Sequence, residues 1–412
     1  MDLSKEQEKV IDAIIHQMII SGYGWRAYNA DIFKAVIAGY AGTGKTTMLA
    51  ELRKQMADSF KNISVAFVTF TGKAASVLKQ KLIQQNAYFE QDYIGTIHGL
   101  IYEPETKYDP QLKCHVIVNW KRKDEIWQHI VVIDEASMVS KELIDDLRSY
   151  DKSIIAVGDH GQLPPVGSKF NLLKDPDFVL TKIHRQALNS PIIKLSQFVR
   201  RNGYIPNDTF FSKEVFKLNW KNRTAQKIWN HKVDFKDDLI VLCAFNTTRC
   251  ALNDMIREKL GFRENLPYPS EKIICLQNDH EIKIMNGQIG ELLWLMPSDY
   301  DLYRMTIDID QINYECMVSS KCFGQVTYTM HDEDIDRKKK LDHANERGFK
   351  NINYFDYGYA TSVHKSQGSE WQKVIVFEQR TKRWDDDYYT KWLYTAITRA
   401  KEKLFIISDA WI

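Results

Sequence analysis

Residues Gly39-Tyr40-Ala41-Gly42-Thr43-Gly44-Lys45-Thr46 set glycines ahead of a lysine and a hydroxyl in the spacing G-x-x-x-x-G-K-[ST]. Glycines so placed let the backbone curl until successive N–H groups point at phosphate oxygens where a helix begins. Lys45 would then reach the β- and γ-phosphates of a nucleoside triphosphate, and Thr46 would offer its hydroxyl to Mg2+. Gly39, Gly42, Thr43, Gly44 and Thr47 complete the group expected against the nucleotide. Further along, Ile130-Val131-Val132-Ile133-Asp134-Glu135 is an apolar run that ends in two carboxylates. Asp134 is placed to hold the metal, directly or through water, and Glu135 to polarise an attacking water. Acidic residues commonly end strands, so the pair is weak evidence alone. After a phosphate loop in the same α/β unit, it implies ATP or GTP hydrolysis, with Mg2+ neutralising the triphosphate.

The loop needs a strand before it and a helix after it, and the hydrophobic pattern supplies both. Phe33–Ala38 reads as a strand, Thr46–Phe60 as a helix, Val65–Thr69 as a strand, Ala74–Gln85 as a helix, and Ile130–Asp134 and Ile154–Gly158 as strands. Short apolar runs are the mark of buried parallel strands, and amphipathic helices suit their crossovers. The rhythm resumes with strand Leu239–Ala244, helix Arg249–Leu260, strand Val374–Glu378, helix Tyr389–Ala396 and strand Leu404–Ser408, which predicts two α/β units. Two stretches break it. Residues 101–122, with Pro104 and Pro110 before an alternating run, suit a β-hairpin or a long loop. Residues 287–346 suit a small all-β insertion, with strands at Leu292–Leu295 and Met305–Ile309 and a basic run at Arg337–Lys340 that suits a solvated loop more than a specific contact.

The length of 412 residues fits two or three domains at roughly 150 residues each. A hydrophobic share of 44% against 27% charged residues is globular and excludes large-scale disorder. With 56 basic and 54 acidic residues the net charge is only +2, so any polyanion binding must be local. Six cysteines, Cys114, Cys243, Cys250, Cys275, Cys316 and Cys322, are spread without a C-x-x-C pair, which argues against zinc and a disulfide framework. The first twenty residues mix charges among apolar positions, unlike a signal peptide, and no run approaches 18 apolar residues. A reducing cytoplasm and no membrane are expected.

Gly158-Asp159-His160-Gly161-Gln162-Leu163-Pro164-Pro165-Val166 resembles motif III of superfamily 1 helicases, especially the Dda-like and RecD-like 5′→3′ group. Other motifs follow in the family's order. Leu3-Ser4-x-x-Gln7 is similar to the Q motif, Phe70–Ala75 to motif Ia, Gly95-Thr96-Ile97-His98 to motif Ib, and Leu180–Gln186 to motif IV. Ala360–Glu370 is similar to motif V and Tyr394–Ala400 to motif VI, so the resemblance runs from residue 3 to residue 401.

The resemblance implies two RecA-like P-loop domains with parallel sheets, a small β-hairpin insert in the first and a small all-β, SH3-like insert in the second. The first domain would span 1–100 and 123–185, the hairpin pin 101–122, the second domain 186–286 and 347–412, and the SH3-like insert 287–346. It further implies a cleft where Arg185 and Arg399 approach the γ-phosphate, Gln162 senses that phosphate or its water, Gln7 pairs with the adenine edge, His184 stacks on the base, and Glu370 touches the ribose or phosphate side. Such arginines are worth about 10³–10⁵ in rate.

Thr71, Lys73, Thr96, His98, Ser362, His364 and Lys365 stand at positions similar to the family's strand contacts. Hydroxyls, helix N-terminal amides and lysines grip phosphates without reading sequence, although each Thr or Ser also suits a helix cap. Departures from the group's pattern are Phe70 for its usual Pro, Ser362 for Thr, and His184 for an aromatic. The implied protein is an ATP-dependent 5′→3′ DNA helicase and single-strand translocase using ATP and Mg2+. It would act on single-stranded DNA and 5′-tailed duplexes, as a compact stand-alone monomer in a bacterial or phage-infected cytoplasm. It would meet single-stranded-DNA-binding or replication and recombination proteins. Tyr102, Tyr108 or Trp120 would face the first base pair from the pin. Two alternatives stay open: an RNA-directed motor, and a nucleotide-gated binding subunit that does not unwind.

Overall fold

The computed structural model describes residues 3–23, 30–109, 114–164, 170–184, 189–231, 233–235, 238–277, 279, 282, 284, 286–309, 312–326 and 335–409. Arg185 falls outside these residues, as do the side chains of Lys73, of 104–120 (hence of Tyr108, Cys114 and Trp120) and of 335–338. The chain divides into two compact units. One comprises Met1–Glu103, Trp120–Arg201 and Thr390–Thr395, and the other Pro104–Asn119, Asn202–Tyr389 and Ala396–Ile412.

In the first unit, helix α1 (Lys5–Ile20) starts at a capping box in which the Ser4 hydroxyl and Gln7 side chain each accept the other's backbone N–H. Its buried Val10, Ile11, Ile14 and Met18 recur at helical spacing. Each such side chain is worth roughly 1.5–3 kcal/mol on burial. They pack on a sheet of β1 (Lys34–Gly39), β2 (Val65–Thr69), β3 (Tyr93–Thr96), β6 (Ile130–Ile133), β7 (Ser153–Gly158) and β8 (Phe178–Leu180). The sheet is parallel throughout, in the order β3-β2-β6-β7-β1-β8. Helices Lys45–Ser59 and Gly72–Gln84 supply residues to the core on the α1 face, and Ile97–Ile101 and Lys141–Arg148 to a second core.

Among the described residues, strands β4 (Tyr102–Asp109) and β5 (Cys114–Arg122) pair only with each other and form a two-stranded ribbon. Its root is tied down. The Tyr102 hydroxyl donates to Asp146, and the Tyr150 hydroxyl donates to the carbonyls of Ile101 (2.8 Å) and Lys123 (2.7 Å).

The second unit carries two sheets. One, ordered β18-β11-β19-β20-β10-β9, comprises β18 (Ala360–Ser362), β11 (Leu239–Cys243), β19 (Trp371–Phe377), β20 (Ala400–Ser408), β10 (Val215–Asn219) and β9 (Thr209–Phe210). Only β9 runs antiparallel to its neighbour. The other joins β16 (Ile352–Asn353), β15 (Ile312–Ser319), β14 (Leu302–Ile309), β13 (Ile289–Pro297), β12 (Lys272–Cys275) and β17 (Phe355–Tyr357). It is antiparallel except between β15 and β16. Val241 and Phe377 of the first sheet and Ile273, Leu292 and Met305 of the second share one core.

Two features differ from the sequence reading. The antiparallel sheet draws in β12 and β17, on either side of 287–346, because Ile273 and Phe355 are needed to close its core. Within that stretch, a helix spans Ile335–Glu346 and carries the basic run that reads as a loop. Its polar sequence hides the few apolar positions that fix it, Leu341 and Ala344 against Leu302, Met317 and Ile352.

Candidate functional site

In the first unit β6, β7 and β1 are neighbours, so their carboxyl ends share one edge, the position where open α/β sheets bind ligands. Asp134 and Glu135 leave β6, Gly158–Gln162 leave β7, and the glycine loop leaves β1. Gly44 has φ +74°, and a Cβ there would lie 2.6 Å from Gln7 Nε2 and 2.7 Å from His184 Nε2, so only glycine fits. The helix that follows begins without a side-chain cap, which leaves its first N–H groups for an anion.

The loop is braced from both sides. Gln7, fully buried, donates from Nε2 to the carbonyls of Thr43 (3.2 Å) and Gly44 (3.0 Å), while its Oε1 accepts the Ser4 N–H (2.8 Å). The His184 N–H donates to Gly42 O (3.1 Å). Lys45 Nζ donates to the carbonyls of Gly39 (2.8 Å) and Tyr40 (3.2 Å), and Thr43 Oγ1 to Tyr40 O (2.8 Å). Thr46 and Thr47 are half-buried on the first turn. Gln7 therefore spends its amide on the loop backbone here, and a pairing with adenine requires those bonds to be released.

Burial pushes the Asp134 carboxyl above its ordinary value, with the Lys45 ammonium pulling the other way. Glu135 sits at φ +56°, a left-handed conformation that costs a non-glycine residue about 1–3 kcal/mol. Asp134 Oδ1 accepts its N–H (3.1 Å). Gln162 Oε1 and His184 Nε2 are buried and make no hydrogen bond with the described residues. An uncapped helix start, a buried carboxylate in the field of a lysine and an unpaired amide oxygen fit a nucleotide triphosphate with its divalent cation.

Beside the loop lies a cluster absent from the residues chosen by sequence. Tyr394 Oη accepts the Ala41 N–H (2.9 Å) and donates to Asp159 Oδ2 (2.6 Å), while Asp159 Oδ1 accepts the Gly161 N–H (2.9 Å). Thr395 Oγ1 accepts the Leu163 N–H (3.0 Å). Burial, with the Asp159 carboxylate close by, holds the Tyr394 hydroxyl protonated, well above the usual tyrosine value. Asp159 and Tyr394 lie inside the two quoted motifs, so the motifs were the signal for them.

The strand-contact candidates of this unit begin helices. Thr71 Oγ1 accepts the Ala74 N–H (3.2 Å) and Thr96 Oγ1 the Gly99 N–H (3.0 Å). The His98 ring packs 5.5 Å from Tyr102 and 6.4 Å from Phe70.

In the second unit Ser362 is buried and its Oγ accepts the Lys365 N–H (3.4 Å), while the Lys365 side chain is exposed. The His364 Nε2 and Tyr388 Oη lie 2.8 Å apart, and burial lowers the His364 pKa, which favours a neutral ring. Tyr388 packs on Trp384 at 5.0 Å and Trp384 on Phe245 at 5.8 Å, a partly exposed aromatic row that the sequence reading missed. The Phe245 turn is pinned by Gln379, whose Oε1 accepts the Ala244 N–H (3.0 Å) and whose Nε2 donates to Thr248 Oγ1 (2.8 Å). Arg399 is buried and donates to Ser369 O (3.2 Å) and Thr398 Oγ1 (3.1 Å). Its neighbour Glu370 is exposed, 3.8 Å from Lys401 Nζ.

The fold and the loop define a P-loop nucleotide-binding protein of RecA-like architecture. Residues 27–168 match the AAA domain family and residues 357–407 the UvrD-like helicase C-terminal domain. The chain is 23% identical to the ATP-dependent RecD2 DNA helicase of Deinococcus radiodurans, over 99% of this chain and 49% of that protein. It is 30% identical to the uncharacterised protein R530 of Acanthamoeba polyphaga mimivirus, over 89% of this chain and 94% of that one. A solved Pif1 helicase from Bacteroides, in complex with ADP-AlF3 and single-stranded DNA, aligns with a TM-score of 0.54 at 19% identity, over 100% of this chain and 93% of that one. In these matches the chain is similar to Pif1- and RecD-like helicases of superfamily 1. It spans half or less of the length of the helicase-named curated relatives that it matches. Among the described residues no helix is long and apolar enough to cross a membrane.

Proposed function

We propose that this chain is an ATP-dependent 5′→3′ DNA helicase and single-strand translocase. The observation that carries the proposal is the shared edge of β6, β7 and β1, where an uncapped helix start, Lys45, the buried Asp134 and the unpaired Gln162 Oε1 meet. Mg2+, held by Thr46 and Asp134, would neutralise charge on the triphosphate. Lys45 exchanges its loop carbonyls for phosphate oxygens, and the N–H groups of Gly42 to Thr47 receive the rest, with Gly39 and Thr43 shaping the turn. Glu135 orients the attacking water, and Gln162 reports the γ-phosphate. Arg185 and Arg399 neutralise charge on the phosphoryl group in flight, while His184 lies against the base and Glu370 serves the ribose side.

Single-stranded DNA is the proposed track, gripped through Thr71, Lys73, Thr96, His98, Ser362, His364 and Lys365. The aromatic row Phe245–Trp384–Tyr388 beside His364 supports this, because base stacking on aromatic rings tolerates any sequence. Polarity and the 5′-tailed duplex substrate come from the Pif1/RecD group. The 101–122 ribbon serves as the pin, with Tyr102 anchoring its root, and the antiparallel sheet that takes in residues 287–346 braces the pin or holds the strand. The proposed unit is a monomer that works beside single-stranded-DNA-binding or replication and recombination proteins.

Steady-state ATP hydrolysis at low salt, alone and with matched dT and U oligomers, tests this, followed by strand separation on 5′- and 3′-tailed duplexes. Strong stimulation by dT with unwinding of the 5′-tailed duplex is the expected result. Equal or better stimulation by U moves the substrate to RNA, and indifference to both oligomers leaves a nucleotide-gated binding subunit.

A further inference from the structure

We propose that Arg200 is a positioning residue for the phosphate loop, acting through Tyr40. The inference rests on the nucleotide site described above and assigns it a residue that no motif contains. Arg200 lies on the helix Pro191–Asn202. Its guanidinium carbon is 3.3 Å from the centre of the Tyr40 ring and 5.9 Å from that of Tyr394. A cation that close to a ring centre is stacked on the face of Tyr40. Arg200 Nε is buried and without a hydrogen bond, and among the described residues no carboxylate forms an ion pair with the side chain. Among the described residues the closest partner of its guanidinium is therefore the Tyr40 ring, not the carboxylate usual for a surface arginine.

Tyr40 is the second residue of the loop. Its ring centre is 4.2 Å from that of His160 and 6.3 Å, edge on, from Tyr394. A Cβ on Gly161 would come within 3.1 Å of both tyrosine rings, so the cluster has no slack on that side. The Tyr40 carbonyl receives both Lys45 Nζ and Thr43 Oγ1, and the next N–H, that of Ala41, is held by Tyr394 Oη. Fixing the Tyr40 ring therefore fixes the backbone from which the loop's ammonium and amides are presented. Without Arg200 the ring keeps its other neighbours but loses its most intimate contact, and the loop samples arrangements that do not receive phosphate. The cost falls on nucleotide affinity, because binding must first select the receptive arrangement.

The test is a double-mutant cycle read in the KM for ATP, with kcat and melting temperature recorded in parallel. Arg200→Ala should raise KM about three- to tenfold and change kcat much less. Arg200→Lys, which keeps a cation but not the flat stack, should recover part of that loss. In a Tyr40→Phe background, where the ring face remains, removing Arg200 should cost the same factor. In a Tyr40→Ala background it should cost nothing further. A purely structural arginine would lower the melting temperature without separating KM from kcat. Additive effects in the Tyr40→Ala background, or an unchanged KM in Arg200→Ala, overturn the proposal. Lys45→Ala serves as the reference: if it keeps its turnover, the nucleotide-site reading has failed, whereas if it loses turnover while Arg200→Ala keeps a normal KM, only the role of Arg200 has failed.

Discussion

The carboxyl edge of the first unit's sheet and the motif-bearing surface of the second unit solve different problems with different materials. Around the phosphate loop the carbonyls of Gly39, Tyr40, Gly42, Thr43 and Gly44 and the Ala41 N–H are held by Gln7, His184, Tyr394 and the loop itself, while the first N–H groups of the helix carry no side-chain cap, and the glycine at 44 is enforced by both its φ and its neighbours. Around His364 the side chains are rings, partly exposed and packed at tilted angles in a row. Binding a triphosphate demands amides aimed in advance, since a dipole that must reorient during the reaction loses its catalytic worth. Holding a strand of any sequence demands a surface indifferent to base identity, which aromatic faces supply. The difference teaches that directed hydrogen bonds are concentrated where charge is handled and exposed rings where the strand is proposed to lie.

The largest expected effect breaks the first region. Lys45→Ala should bring ATP hydrolysis down to background while the circular dichroism spectrum and melting transition persist. Substantial retained turnover would remove the loop from the mechanism. Next, Arg399→Ala should leave nucleotide binding within a fewfold and lower kcat by about 10³ or more, measured by single-turnover hydrolysis alongside equilibrium binding of a fluorescent ADP analogue. An unchanged kcat would return Arg399 to the role seen in its own unit, a donor to Ser369 and Thr398.

The same contrast governs what could be read from the residues. Strands β2 and β7 and the helix after the loop lie within a residue or two of their predicted bounds, because buried parallel strands and the G-x-x-x-x-G-K-[ST] pattern are local signals. Helix Ile335–Glu346 was missed because its sequence is nearly all polar, and its few apolar residues pack on Leu302 and Met317, distant in sequence, and on Ile352. Thr71 and Thr96 were legible as caps, and they are caps. Gln7 and Gln162 stood out by motif, but no sequence pattern shows that the Gln7 amide is consumed by the loop backbone. Arg200 and Trp384 were invisible for a common reason. Their importance comes from rings that the fold brings beside them, and a stack has no spacing rule along the chain.

The second region is sharpened by Trp384→Ala, which should weaken binding of a dT oligomer about thirtyfold in fluorescence anisotropy, the middle of the range for losing one stacked base. Because stacking ignores base identity, dT and dA oligomers should lose similar factors. A loss confined to one base, or none, would separate the aromatic row from the track.

The smallest effect returns to the first unit and its pH dependence. Glu6, one residue before Gln7, accepts hydrogen bonds from the Thr181 N–H (2.8 Å), the Thr181 hydroxyl (2.6 Å) and the Lys182 N–H (2.9 Å), and so ties α1 to the segment that ends in His184. Partial burial works against the charge, but the bonds from Thr181 and Lys182 outweigh it and hold the carboxyl below its ordinary value of 4.5. A depressed carboxyl stabilises the fold fully above the value it has in the unfolded chain, and that contribution disappears as pH falls through the folded value. Glu6→Gln should therefore melt lower than the parent near pH 7, by only about 1–2 °C because the site is largely exposed. The gap should close as the pH falls below the ordinary 4.5 and through the lowered folded value, where the parent's own carboxyl takes up a proton. A gap that persists unchanged into acid would mean that shape and packing, not the charge on Glu6, hold the segment before His184 in place.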